Sequence, residues 1–74
     1  MGRLAGFNYK GVTRKLKRLG WAFDRQARGS HEVWKHIDSG LRTTVPHHAR
    51  DMPEGTLRAI LREAEIEVDD FLNA

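Results

Sequence analysis

The chain has no cysteine, only two prolines, and no long apolar run. The missing thiols exclude a disulfide framework and a cysteine-ligated zinc site, and they fit a reducing compartment, so a cytoplasmic location is expected. No apolar stretch approaches the roughly 18 residues that a membrane span requires. The opening MGRLAGFNYKG lacks the apolar centre of a secretion signal, so a soluble protein without membrane contact is expected. With 74 residues, one domain over 1–74 is expected. At this size folding buries only roughly 60–65% of the unfolded chain's surface.

Charge is abundant, and it is segregated. Up to Arg50 there are eleven cations against three acids, a surplus of eight, whereas from Asp51 onward seven acids face two arginines. Such polarity favours a polyanion against the first two thirds of the chain. The acidic stretch EAEIEVDD argues against nucleic acid at the C-terminal end.

Periodicity supplies the elements. Val12, Leu16 and Leu19 recur at helical spacing from Tyr9 to Leu19, with Arg14, Lys15, Lys17 and Arg18 opposite, and Gly20 stops the helix. WAFDRQ reads as a strand in which Trp21, Phe23 and Arg25 alternate with Ala22, Asp24 and Gln26. ARGS is a turn, HEVWKH a second strand, DSG a tight turn, and LRTTV a third strand ended by Pro46. A loop, PHHARDMPEG, leads into a helix with Leu57, Ile60, Leu61 and Ala64 on one stripe. The terminal EVDDFLNA is predicted to turn and lay Phe71 and Leu72 on the core. Short connections make the strands antiparallel neighbours, and two amphipathic helices need one apolar sheet face to cover. The expected fold is α+β, in the order α-β-β-β-α, with a three-stranded antiparallel sheet and both helices on one face. This is similar to the arrangement of the double-stranded-RNA-binding domain.

His31 opens the second strand. Alternation puts His31, Val33 and Lys35 on one face and Glu32, Trp34 and His36 on the other. Periodicity alone does not say which is buried, but tryptophan removes far more area from water than valine, which favours Trp34 inside. His31 and Lys35 then share the open face. An imidazole with an ordinary pKa of about 6.5 both accepts and donates protons near neutrality. Cleavage of RNA by its own 2′-hydroxyl needs that, together with cations on the phosphorane and no metal or cofactor. Arg28 on the turn and Lys35 are candidates for the cations. Taken alone, His31 reads more readily as a polar residue beside a turn than as a catalytic group.

Gly20, Arg25, the Gly29-Ser30-His31 step, Val45-Pro46 with His48, and Gly55-Thr56-Leu57 with Ile60 and Leu61 stand in an order and spacing that resemble the HicA (YcfA-like) family of toxin–antitoxin systems, across residues 7–72. The resemblance implies a toxin that cleaves mRNA, with the double-stranded-RNA-binding fold and the strand-two histidine, here His31, as catalytic residue. It also implies a HicB-type antitoxin that covers the active face. Gly11 inside the first helix departs from a strong helix former, at about 1 kcal/mol relative to alanine.

Other residues carry weaker signals. Gly29 supplies a positive φ in the turn, and Ser30 bonds its own backbone or donates to a phosphate. His36, His47 and His48 invite a metal, but no cysteine joins them and His47 and His48 point to opposite sides if extended, so no metal site is expected. His48 is a candidate RNA contact or an aid to His31. Lys10, Arg14, Lys17 and Arg18 form a secondary RNA surface by analogy with the first helix of the double-stranded-RNA-binding arrangement. Two function classes stand side by side: a metal-independent endoribonuclease and a non-catalytic RNA-binding module. DNA binding is disfavoured, since neither helix pairs with another as a helix-turn-helix.

Overall fold

Asn8 starts the first helix because its side-chain oxygen accepts the Gly11 N–H at 2.9 Å, satisfying one of the amide donors that a helix start leaves open. The computed structural model describes residues 2–74; Met1, the first residue of the expected domain, lies outside the described residues. Helix α1 runs Tyr9–Arg18, and three basic residues in its last turn complement the negative end of its dipole. Leu19 caps it, and Gly20, at φ 92°, turns the chain directly into β1 (Trp21–Gln26). Strands β2 (His31–His36) and β3 (Arg42–Pro46) follow, and the antiparallel sheet has the order β1-β2-β3. Helix α2 covers Glu54–Ala64. The terminal segment, predicted as a turn, forms a short helix, α3 (Val68–Leu72), which buries Phe71 completely. The α+β order and the three-stranded antiparallel sheet are those expected from the pattern.

Registry decides which side chains share a face, because directly opposed residues of antiparallel strands point the same way. Trp21 opposes His36, Phe23 opposes Trp34, Trp34 opposes Thr43, and Glu32 opposes Val45. This is the covered face, against which Val12 and Leu16 of α1 and Leu57, Ile60 and Leu61 of α2 pack in one core cluster. Leu4 and Phe7, ahead of α1, close its end, with Phe7 edge-on to Phe71 at 5.3 Å between ring centroids. Trp34 is inside, as its size predicts, and it carries the buried Glu32 with it.

Two expectations are corrected by the sheet. Simple alternation put Arg25 on the side of Trp21 and Phe23. The register instead shifts between Phe23 and Arg25, and the bulge turns Arg25 to oppose Val33 on the open face. The third strand was expected over LRTTV. It begins one residue later and includes Pro46, which is tolerated because β3 is an edge strand and needs no amide donor there. The outer edge of β3 is closed by α2: Glu63 Oε1 accepts from Thr43 Oγ1 at 2.8 Å and from the Thr44 N–H at 3.1 Å.

The α1–β1 turn leaves no room for a side chain. A Cβ on Gly20 would lie 2.9 Å from His36 Nε2, at a φ that L-residues avoid. That imidazole is already committed, with Nε2 3.1 Å from the Leu19 carbonyl and Nδ1 accepting the Ser39 N–H at 3.1 Å. Gly20→Ala should therefore lower stability by roughly 1–2 kcal/mol from the left-handed backbone alone. Urea unfolding checks this, and an unchanged midpoint would show that the turn relaxes at no cost.

Candidate active site

The turn between β1 and β2 is built from the residues Arg28-Gly29-Ser30. The His31 N–H donates to the Arg28 carbonyl at 3.1 Å, and the Ala27 N–H to the His31 carbonyl at 2.8 Å. Gly29 adopts φ 62°, the conformation for which glycine was expected here. Gln26 Nε2 bonds the carbonyls of Gly29 and His31 at 3.0 and 2.9 Å, tying the turn from the side. The His47 N–H reaches the Ser30 carbonyl at 2.9 Å, so pairing continues past Pro46 into the next loop.

These bonds hold the backbone of His31 while its imidazole stands exposed. The residue opposes Pro46 on β3. It lies where two surface depressions meet, and both also include Pro46 and Thr56. One, of about 640 Å³, runs between β3 and α2 along Thr44, Gly55 and Ala59. The other, of about 470 Å³, opens toward Tyr9, His48, Arg50 and Met52. Among the described residues no carboxylate pairs with the His31 ring.

The basic residues around this histidine and elsewhere fall into three places. Arg28 is exposed on the turn beside it, and Arg50 joins the second depression from the β3–α2 loop. Lys35 shares the open face of the sheet but lies four residues along β2, about 13 Å away at 3.3 Å per residue. It opposes Ala22 and Arg42 rather than anything at the His31 end. Beside Arg42 on this face, Asp24 accepts from Arg25 at 3.1 Å and from Arg42 at 3.5 Å. Lys10, Arg14, Lys17 and Arg18 are exposed along α1, which packs on the covered face, the layer opposite Lys35. Within that stripe Lys17 Nζ lies 6.0 Å over the Trp34 ring, and Arg18 reaches the Ala74 carbonyl oxygen at 3.4 Å.

The other histidines divide by role. His36 is consumed by the turns around it. His47 and His48 diverge as their adjacency predicts. His48 is exposed and its Nε2 lies 3.3 Å from Ser30 Oγ, in the depression that includes His31. His47 turns the other way, stacking on Tyr9 at 3.6 Å and 9° and setting Nδ1 3.1 Å from Glu32 Oε2. Among the described residues no three histidines or carboxylates converge as metal ligands would.

Periodicity did not single out Glu32, yet it organises this end of the molecule. Its residue is 6% exposed, and its Oε1 accepts from the Tyr9 hydroxyl at 2.7 Å and from Trp34 Nε1 at 3.0 Å. The signal was its alternation with Trp34: a carboxylate on a covered face must find donors. Burial alone would raise its pKa, but the hydrogen bonds from Trp34, Tyr9 and His47 outweigh that and leave it lowered from 4.5. Tyr9 goes the other way. Burial first, and then the hydrogen bond and negative charge of Glu32, push its phenol up to about 12.

A family model described as "HicA toxin of bacterial toxin-antitoxin" matches residues 9–66, a span that contains α1, the whole sheet and α2. No curated protein matches the chain.

The Glu32 cluster has a pH signature. A carboxyl whose folded pKa lies below its unfolded value stabilises the fold above the unfolded value, and that contribution disappears as the pH falls through the folded one. The wild type should lose stability below about pH 4.5, the ordinary value for this group. Glu32→Gln should remove that part of the acid limb and cost about 1–3 kcal/mol at neutral pH, the range for a buried hydrogen-bonding partner removed. Unfolding curves collected from pH 3 to 8 check both. Superimposable wild-type and variant profiles would refute the assignment.

Proposed function

The chain belongs to the HicA toxin family of bacterial toxin–antitoxin systems, and we propose that it is a metal-independent endoribonuclease that cuts mRNA through His31 and is silenced by a HicB-type antitoxin. The family makes it the toxin of such a system, with an antitoxin as partner. No helix among the described residues is long and apolar enough to cross a membrane, which accords with action in the cytoplasm, where its substrate would be.

The observation that carries the reading is an exposed imidazole, fixed through its backbone, at the meeting point of two depressions and, among the described residues, without a carboxylate partner. In the reaction His31 takes the proton of a ribose 2′-hydroxyl. The 2′-oxygen attacks the adjacent phosphorus, and the bond from phosphorus to the 5′-oxygen breaks. His48, in the same depression and oriented by Ser30, protonates the leaving oxygen. The products are a 2′,3′-cyclic phosphate and a 5′-hydroxyl. Arg28 and Arg50 offset the charge that builds on the phosphoryl oxygens. Lys35 with Arg42 on the open face, and Lys10, Arg14, Lys17 and Arg18 on α1, hold other parts of the strand by its phosphates. This chemistry uses no cofactor.

His31→Ala should reduce cleavage by roughly 10²–10⁴, the contribution of a placed general acid or base. It should also relieve growth inhibition, with the fold intact because the side chain is exposed, and with antitoxin binding retained. Cleavage of RNA in the presence of a chelator measures the first, and a dichroism spectrum with antitoxin co-purification measures the second. A folded variant that still cuts at the wild-type rate would refute the reading. A wild-type protein that binds RNA and never cuts it would select a non-catalytic RNA-binding module on the same basic surfaces.

A further inference from the structure

We propose that the depression between Tyr9 and the β3–α2 loop is a nucleobase subsite, which takes one unstacked base of single-stranded RNA beside His31 and prefers guanine to uracil. The proposal rests on the endoribonuclease reading for its substrate, and it adds the part of that substrate which the protein reads.

At about 470 Å³ the depression falls within the usual range for small-ligand sites. Its chemistry suits the flat face of a base more than a phosphate. Tyr9, Pro46, Met52 and Pro53 supply aromatic and apolar surface, and unstacked bases of single-stranded RNA are held on such surfaces. A base inside a duplex is already stacked on its neighbours and cannot enter, so the occupant comes from a single strand.

The platform is rigid before any ligand arrives. The Tyr9 hydroxyl is anchored on Glu32 at 2.7 Å, and one face of its ring is stacked on His47 at 3.6 Å. The facing loop is pinned at Met52, whose N–H donates to the Phe7 carbonyl at 2.7 Å. A site preformed in this way loses little conformational freedom on binding.

The polar groups then indicate which base. Arg50 and Asp51 stand side by side in the lining. Arg50 suits the connecting phosphate, but a carboxylate only accepts hydrogen bonds and repels phosphate. Asp51 is not used as a helix cap, since no side chain caps the start of α2. The two acceptor oxygens of Asp51, in the same lining as the Tyr9 ring, match the adjacent N1–H and N2–H donors of guanine. Uracil presents one N–H between two carbonyl oxygens, which a carboxylate repels.

The test uses single-stranded oligoribonucleotides identical except for the base flanking one cleavage position. The expected result is a kcat/KM at least roughly tenfold higher for guanine than for uracil, the scale of a good bidentate base contact. Asp51→Asn, which offers a donor as well as an acceptor, should level that preference while the variant unfolds at the wild-type midpoint. A second readout does not depend on cleavage: the Met52 methyl and Tyr9 ring resonances of the His31→Ala protein, titrated with the same oligonucleotides. Shifts of the His31→Ala protein specific to the guanine strand, together with a wild-type protein that does not cut, would uphold the subsite and remove the endoribonuclease reading. Cleavage with equal rates for all four bases, and resonances unmoved by any strand, would overturn the subsite and leave His31 chemistry standing. Absence of both cleavage and binding would overturn the subsite as well.

Discussion

Glu32 brings a carboxylate under the sheet, and the end of the molecule that holds His31 is arranged around it. Taking a charge out of water is costly unless donors replace the lost hydration. Here they come from three directions: Tyr9 at the first turn of α1, Trp34 two residues along β2, and His47 in the loop after β3. Segments distant in sequence are thereby fixed to one pair of oxygens. Without the carboxylate, Tyr9 and the indole N–H would be left facing an apolar interior, and the β3–α2 loop would lose its inward anchor. The neighbouring His31 is free to face solvent because Glu32, the residue after it on the strand, faces the core and takes the structural load.

The same alternation explains how two adjacent histidines come to serve opposite ends. His47 stacks on Tyr9 and meets Glu32 while its side chain stays half exposed. His48 points out to Ser30 and to the depression it shares with His31. An imidazole is suited to both positions, being a flat aromatic surface and a hydrogen-bonding group in one side chain. The ring bonded to Glu32 aims the loop, and the ring beside Ser30 is what the loop presents. Positive charge is distributed by the same logic of layers. The sheet's open face carries Arg25, Lys35 and Arg42 with Asp24 among them, the α1 stripe lies on the opposite layer, and Arg28 and Arg50 flank His31. A single strand of RNA meeting all three would have to wrap around the sheet's end.

Much of this was legible in the residues. Helical spacing of Val12 and Leu16, the glycine at position 20, and the strand-like runs separated by ARGS and DSG were enough for the order of elements and the antiparallel sheet. The area of Trp34 was enough to choose the buried face. The bulge at Asp24 was not legible, because one extra residue in a six-residue strand leaves the alternation looking regular. It moved Arg25 across the sheet. The α3 helix was hidden by its brevity: five residues with two adjacent aspartates read as a turn until Phe71 is seen docked on Phe7. At the site, the exposure of His31 followed from placing Trp34 inside, whereas its separation from Lys35 needed only the rise of a strand and could have been drawn at once. Glu32 was the omission with the widest consequences. Its position beside Trp34 already implied burial, but its three donors are 23, 2 and 15 residues away, and only the fold brings the distant two to it.

A core this small leaves little area to spare, so groups that stabilise the fold also shape the surface beside it. Tyr9 is the clearest case. Its hydroxyl satisfies Glu32, one face of its ring receives His47, and the ring also borders the depression next to His31. A phenol with an ordinary pKa of 10.0 is already neutral at physiological pH, and burial first, then Glu32, push this one further up, to about 12. The surface it offers is therefore uncharged, which favours a base over a phosphate. Cations stand nearby in Arg28 and Arg50, so on the proposed reading a strand's phosphates and its bases would find different partners within a few residues of the imidazole. That separation lets one short segment, from Pro46 to Thr56, both terminate the sheet and define what approaches His31.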